Sequence, residues 1–192
     1  LIQPKIEKVE VDDIFKTVDD EFSALAQQKN LRFKFFYPFQ SPLLKTDAAL
    51  LLKVLRHLLD NALNNTLSGG VLVGVRVRGK FGLIQVWDTG SGIDPAIGGW
   101  IFEGRFQAET RARRSATGLG VGLSIARRMA RLIGGELTYR SKLGKGSVFE
   151  ITVPLDEGLS ELPRGGNVEG NTSGVEIVER DPSRFANWRV VV

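Results

Sequence analysis

Two glycine-rich segments, Asp88–Ile93 and Gly118–Leu123, carry the strongest chemical signal in this sequence. Glycine has no Cβ atom, so its backbone N–H groups can approach a ligand closely. The second segment runs into an apolar pattern with helical spacing, which places glycine N–H groups at a helix N-terminus. Unpaired N–H groups and the helix dipole favour an anion such as phosphate there. Together the two segments predict a nucleotide site.

A polar stripe on an earlier helix is a second candidate for this chemistry. His57, Asn61, Asn64 and Asn65 recur at i, i+4, i+7 and i+8, so they share one face of a helix predicted over 48–66. Three amides and an imidazole on one helix stripe are an unusual combination. An ordinary solvated helix face is the alternative interpretation of this spacing.

The flanking elements position these residues at strand ends and helix starts. Alternating valines predict a strand over 71–78, and a return strand over 83–88 places Asp88 at its end. A helix is predicted over 120–133. A second hairpin, 136–142 with 147–155, follows around Leu143–Gly146.

The upstream part of the chain alternates between helical and extended patterns. A helix is predicted over 13–28 with Asp12 or Asp13 as its N-cap, a strand over 31–37, and Asp47 as the cap of the next helix. Helices and hairpins without β-α-β alternation favour an α+β fold over a doubly wound parallel sheet. The prediction is a two-layer α/β sandwich, in which a mixed, mostly antiparallel sheet of about five strands packs on about three helices.

Composition limits the function classes. The chain of 192 residues has a net charge of +4, and 42% of its residues are hydrophobic, enough for one sizeable core. It has no cysteine, which excludes disulfides and thiolate metal sites. No apolar run approaches the roughly 20 residues of a membrane helix. The arginines cluster in and just after the glycine-rich region, which polyphosphate explains better than DNA.

The order of these motifs resembles that of the catalytic, ATP-binding domain of bacterial sensor histidine kinases, within the superfamily shared with gyrase and Hsp90. Residues Arg56–Thr66 are similar to the family's N box, and Asp88–Ile93 to its first glycine box. Ile101–Glu103 resembles the start of the F box, Gly118–Leu123 the second glycine box, and Gly144–Ser147 the last glycine turn.

The resemblance implies a domain organisation. A Bergerat-type catalytic domain would occupy residues 1–155, with an ATP lid over about 94–117. Residues 156–174 are polar and glycine-rich and are expected to form a flexible linker. The tail, 175–192, ends in Trp188–Val192, which resembles the first strand of a receiver domain, so the tail could be the truncated start of such a domain, as in hybrid kinases; a strand that pairs with the catalytic domain is the alternative.

The resemblance also implies roles for the matched residues. Asn61 would ligate Mg²⁺, Asp88 would accept a hydrogen bond from the adenine amino group, and His57 would be a base or a polar aligner. Gly90 and Gly92 would let the backbone approach adenine. The glycines of the second box would turn N–H groups towards the phosphates. The other matched ATP-binding positions are Asn64, Asn65, Ile93, Gly118, Leu119, Gly120, Val121, Gly122, Leu123 and Ser147.

In the lid, Phe102 would anchor the segment by packing. One of Arg111, Arg113 and Arg114 would reach the γ-phosphate, with a solvated loop as the alternative. The chain departs from the family in carrying Arg105 where a second F-box aromatic is usual. It also carries Asn64 where the family has a basic residue that helps to bind phosphate.

A mechanism follows from the resemblance and from the single histidine, His57. The chain is expected to bind ATP and Mg²⁺ without completing autophosphorylation alone. The γ-phosphate would pass to a histidine on a dimerisation hairpin absent from this chain, and then to a receiver domain or response regulator. The parent is expected to be a cytoplasmic or membrane-anchored homodimer and this chain a monomer, with no nucleic acid partner and no direct membrane contact.

Two alternatives remain open. The chain could be a degenerate nucleotide-binding module that regulates a partner kinase without phosphoryl transfer, which the residues Asn64, Asn65 and Arg105 would favour. It could also hydrolyse ATP or phosphorylate serine on a protein partner, although His57 stands where gyrase-like relatives have glutamate. A nucleic-acid binder is disfavoured, because aromatic residues are not interleaved with the basic ones.

Overall fold

A computed structural model describes residues 3–36, 41–103 and 121–156. The elements follow one another in the order β1 (Glu7–Glu10), α1 (Val11–Gln28), β2 (Arg32–Phe36), β3 (Leu43–Thr46), α2 (Ala48–Asn65), β4 (Gly70–Arg78), β5 (Phe81–Asp88), α3 (Pro95–Gly98), α4 (Val121–Leu132), β6 (Leu137–Lys142) and β7 (Gly146–Pro154).

The main sheet has five strands in the order β2-β4-β5-β7-β6. The pairings β4–β5, β5–β7 and β6–β7 are antiparallel, whereas β2 pairs with β4 in parallel. The parallel pair needs a long crossover, and α2 lies within it. The mixed, mostly antiparallel five-stranded sheet is confirmed, as is the α+β sandwich of which it forms one layer.

The core lies between this sheet and the helices. Helix α2 buries the apolar face expected from its 3.6-residue period, and α4 buries a shorter stripe. From the sheet, Ile84, Phe149 and Ile151 are fully covered. Helix α2 packs against both α1 and α4, so it is the central helix of its layer.

The two long N-terminal helices begin differently. Asp47 caps α2, as predicted, since its Oδ1 accepts a 2.9 Å hydrogen bond from the Leu50 N–H. The prediction of Asp12 or Asp13 as the cap of α1 is wrong, because the helix starts at Val11 after an uncapped Glu10. Tertiary partners serve the first turn instead: the Val11 N–H donates to Pro42 O, and that of Asp12 to Ser41 Oγ.

A second, two-stranded sheet of β1 and β3 joins the two ends of the domain. Strand β3 is absent from the sequence-based prediction. Leu44 forms an isolated antiparallel bridge with Leu155, and the Asp156 N–H donates to Leu43 O. The Lys8 ammonium lies 2.7 Å from the Asp156 carboxylate. Strand β1 and the residues that follow β7 therefore meet at one corner of the fold.

The predicted linker and tail, beyond residue 156, lie outside the described residues, as does the lid from 104 to 117. The part of the lid segment that the structure describes contains the short helix α3, which Asp94 caps through the Ala96 N–H.

Candidate nucleotide-binding site

Asp88 is the most deeply buried carboxylate of the candidate site. It ends β5, between the β4 and β7 strands, and only 2% of its surface is exposed. Its Oδ1 accepts a 2.8 Å hydrogen bond from the Gly90 N–H. Asp88 is the last residue of β5 because a glycine-rich turn follows it, where the chain leaves the sheet.

Burial changes the acidity of this group. Desolvation raises the pKa of the Asp88 carboxyl to about 6, and hydrogen bonds from the backbone N–H groups of Gly90 and Ser147 oppose that rise. A carboxylate with this much burial and few donors retains free acceptor capacity. It can therefore accept a hydrogen bond from a ligand's amino group.

The glycines around Asp88 are required for close contacts between backbone segments, which the sequence alone did not show. A Cβ atom on Gly90 would lie 2.4 Å from Asn65 O, and one on Gly92 would lie 2.1 Å from Lys142 O. At Gly146 it would lie 2.0 Å from Asp88 O. These contacts join the end of α2, the turn after β5 and the β6–β7 hairpin. In the described part of the chain, the absence of Cβ atoms lets backbone segments of the protein meet one another.

Two serines fasten the same turn from the hairpin side. Ser141 and Ser147 face each other across β6 and β7, with their Oγ atoms 2.9 Å apart. The Ile93 N–H donates to Ser141 Oγ at 2.8 Å. Ser147 was named from the sequence, but Ser141 was missed. Counting the register outward from the Leu143–Gly146 turn would have paired the two.

Two of the α2 asparagines contact each other. The Asn65 side-chain NH₂ group donates to Asn61 O at 2.6 Å and to Asn61 Oδ1 at 3.0 Å. The backbone oxygen of Asn65 in turn accepts from the Ser91 N–H at 3.2 Å. A continuous set of contacts therefore runs from Asn61 through Asn65 to the turn that holds Asp88.

The third asparagine lies beside a cation from another helix. The Lys29 ammonium, at the C-terminal end of α1, donates to Asn64 Oδ1 at 3.0 Å and to Leu63 O at 3.2 Å. Position 64 lacks the family's basic side chain, yet a positive charge lies within hydrogen-bond distance of it. Sequence reasoning missed Lys29, since 35 residues separate it from Asn64.

His57 lies next to the start of α4. A Cβ atom on Gly122 would be 3.3 Å from His57 Nδ1, so the absence of a side chain there lets α2 and α4 approach. Leu123 is buried in the core, whereas 51% of the Val121 surface is exposed. The structure thus brings the N-box stripe and the end of the second glycine box together.

Phe102, in the first part of the lid segment, packs against aromatic residues of the sheet. Its ring centroid lies 5.7 Å from that of Tyr139 and 6.5 Å from that of Phe149, both in edge-on arrangements. The Arg127 guanidinium of α4 lies 4.9 Å from the Phe102 ring centroid, within cation–π range. The predicted packing role of Phe102 is consistent with these contacts.

Several predicted site residues lie outside the described residues. These are Gly118, Leu119, Gly120, Arg105, Arg111, Arg113 and Arg114.

Whether Mg²⁺ can bind at this site depends on the protein groups that could ligate it. Within residues 3–36, 41–103 and 121–156, no group of three or more His, Cys, Asp or Glu side chains could hold a metal ion. A cation here would have few protein ligands, such as the Asn61 amide oxygen, and would take most of its ligands from phosphate and water. Mg²⁺ typically binds in this way in phosphate-containing sites.

Comparison with known proteins defines the class to which this fold and site belong. Residues 46–157 match the protein family described as histidine kinase-, DNA gyrase B- and HSP90-like ATPase. The match covers more than half of the chain, and the chain belongs to this family.

The relatives narrow the class to sensor histidine kinases. The chain is 38% identical over 138 residues to the aerobic respiration control sensor protein ArcB of Escherichia coli strain K12, covering 70% of this chain and 18% of ArcB. It is 31% identical over 159 residues to the autoinducer 2 sensor kinase/phosphatase LuxQ of Vibrio vulnificus strain CMCP6, covering 78% of this chain and 18% of LuxQ. This chain is an ATP-binding catalytic domain of a sensor histidine kinase. It spans about a fifth of the length of these relatives.

Solved structures agree with the fold. Full-length ShkA in complex with AMPPNP superposes with a TM-score of 0.70 at 26% identity, covering 80% of this chain and 32% of ShkA. The catalytic domain of the histidine kinase ThkA gives a TM-score of 0.65 at 20% identity, covering 78% of this chain and 95% of that domain. Among the described helices of this chain, none has both the length and the apolar character needed to cross a membrane.

Proposed function

We propose that this domain binds Mg²⁺ and ATP at the edge of the sheet where β5 ends and that it donates the γ-phosphate to a histidine on a separate dimerisation hairpin. The observation that carries the proposal is the buried Asp88 carboxylate, held next to the end of the asparagine-bearing helix α2. A carboxylate acceptor suits the adenine amino group, and the amide oxygens suit a hydrated cation with phosphates.

The positions of the residues within the site suggest a role for each. Asp88 accepts a hydrogen bond from the adenine amino group. Beside it, the turn after β5 lies with Gly90 against Asn65 O and with the Ile93 N–H bonded to Ser141 Oγ. Asn61 and His57 lie nearer to the start of α2 than Asn65. His57 is next to α4, where the phosphates would lie. Helix α4, whose described residues are Val121–Leu132, lies there, and the N–H groups at the N-terminal end of a helix favour negative charge.

Asn61 would hold Mg²⁺ through its side-chain oxygen, and the bound cation would neutralise phosphate charge. The arginines of the lid, together with Gly118, Leu119 and Gly120, are proposed to contact the phosphates. His57 aligns the phosphates or the attacking group through its imidazole, since it lies against the first turn of α4.

The acceptor comes from outside this chain, whose single histidine lies within the site itself. The partner we propose is the histidine-bearing dimerisation hairpin of the same parent homodimer, with a receiver domain or response regulator as the next acceptor. The relatives include a sensor kinase/phosphatase and several sensor proteins, which supports a role in signalling with a receiver domain or response regulator.

Isothermal titration of the chain with ATP and ADP, with Mg²⁺ or with EDTA, tests nucleotide binding. We expect adenine-nucleotide binding that is strengthened by Mg²⁺ and abolished in Asp88→Ala. A melting shift should accompany it, because a ligand at about 100 times its dissociation constant adds roughly 2.7 kcal/mol of stability. Lys53→Ala, an exposed position on α2, is the matched control.

Phosphoryl transfer needs its own test. γ-labelled ATP, this chain and a separately produced dimerisation hairpin should yield acid-labile label on the hairpin. Nucleotide binding without any transfer would favour the alternative, a degenerate nucleotide-binding module that regulates a partner kinase by contact. The departures at Asn64 and Asn65 are the features that favour that alternative.

A further inference from the structure

Asn65 occupies a position from which it can orient a metal ligand. Its NH₂ group lies between two oxygens of one residue, at 2.6 Å from Asn61 O and 3.0 Å from Asn61 Oδ1. Both contacts are hydrogen bonds, the first slightly shorter than the usual range and the second within it. The two asparagines are four residues apart on one helix, so their side chains point to the same face.

The backbone oxygen fixes which way both amides point. A main-chain carbonyl can only accept, so the Asn65 atom beside Asn61 O must be its NH₂ group. The Asn61 atom that this NH₂ group also contacts must then be an acceptor, which is Oδ1. One lone pair of Oδ1 is therefore used by Asn65, and the second stays available for a cation.

We infer that Asn65 is a positioning residue for Mg²⁺, which acts through Asn61 rather than by touching the nucleotide. This inference rests on the proposed function. A hydrogen bond from outside the coordination sphere orients a ligand and tunes its affinity for the metal. Asn65 was expected from the family resemblance to contact ATP; the geometry points to a different role.

Asn65 also contacts the turn next to Asp88, the residue proposed to bind adenine. The Asn65 backbone oxygen accepts from the Ser91 N–H and lies against Gly90, whose own N–H donates to Asp88. The oxygen that faces Mg²⁺ and the carboxylate that faces adenine are therefore connected through Asn65.

The experiment measures the affinity gained from Mg²⁺. Isothermal titration gives the ratio of the ATP dissociation constants in EDTA and in Mg²⁺, together with the dissociation constant of AMP in EDTA. Asn65→Ala should reduce the Mg²⁺ gain about 10-fold or more, the usual lower range for loss of such a bond. The AMP affinity should stay within about twofold, because Asp88 is untouched. Asn65→Leu keeps the branched four-atom shape of the side chain without a donor and should behave in the same way.

Lys53→Ala controls for changes on α2 that leave the site intact, and melting without nucleotide checks that each variant folds. A Mg²⁺ gain that survives in both Asn65 variants would overturn the inference. Equal losses of AMP and Mg·ATP affinity would also overturn it, in favour of direct contact with the nucleotide. An unmutated chain that binds no adenine nucleotide would instead overturn the proposed function, and with it this inference.

Discussion

Gly90 touches the end of α2 so closely that a Cβ atom on it would lie 2.4 Å from the carbonyl oxygen of Asn65. Real Cβ atoms do not approach a backbone oxygen this closely, so Gly90→Ala must displace either the turn or the helix end. We expect a loss of about 1–3 kcal/mol in the free energy of unfolding, the usual cost of overpacking. Urea denaturation measures it.

The control is Gly99→Ala. Gly99 has no atom within 4 Å of an added Cβ and an ordinary φ of −65°. Its substitution should change the free energy of unfolding by less than about 0.5 kcal/mol, as for most surface changes. Equal losses in the two variants would show that contact with Asn65 is not the cause.

Asp88→Asn should separate stability from function. The amide keeps an oxygen for the Gly90 N–H but removes a desolvated charge, so the variant should be more stable than the unmutated chain at pH 7. The gain is bounded by about 3 kcal/mol, the free energy of a pKa displacement from 3.8 to about 6. Adenine-nucleotide affinity should fall at the same time. A variant that is less stable at pH 7 would contradict the burial argument.

The free energy of unfolding of the unmutated chain should depend on pH because the Asp88 carboxyl titrates. The pKa of Asp88 is raised in the folded state, so between about pH 4 and 6 the folded protein binds more protons than the unfolded chain. Its contribution therefore becomes less favourable as the pH rises through this window.

Glu21 and Asp47 have lowered pKa values, through hydrogen bonds from Arg56 and from the Leu50 N–H respectively, and change stability in the opposite direction. The difference between the unmutated chain and Asp88→Asn isolates the Asp88 term. That difference should be small at pH 4 and reach its full size above pH 6. A difference that does not vary with pH would exclude titration of Asp88 in this range.

Lys29→Met removes the ammonium that bonds the last turn of α2 but keeps most of the side-chain stem. A cation at a helix C-terminus contributes about 0.3–1 kcal/mol, and we expect a loss of that size in urea denaturation. Lys53→Met, in the first half of the same helix, should not lower stability. Equal effects of the two substitutions would argue against the contacts to Leu63 O and Asn64 Oδ1.

The elements with a clear period were predicted well from the sequence. The alternating valines of β4 and the apolar face of α2 are found at nearly their predicted bounds, because buried faces impose those periods. Strand β3 was missed because Leu43–Thr46 is too short to show a period. It is a strand because β1 pairs with it along its length.

The candidate site was predicted as a set of residue types but not as a set of contacts. The family resemblance singled out Asp88, Asn61 and the glycines. It could not show that Gly90 and Gly146 are needed where backbone meets backbone. Nor could it show that Lys29 lies at Asn64, since pairs so far apart in sequence are brought together only by the packing of α1 on α2.

The contacts among Lys8, Leu44, Leu155 and Asp156 bring the two ends of the folded unit together at one corner. Its two ends are held side by side, and a compact unit with adjacent ends can be inserted into a longer polypeptide without forcing the flanking segments apart. Segments attached to residues 7 and 156 start from neighbouring points. A rotation of the domain about that corner would scarcely change the distance between these two points.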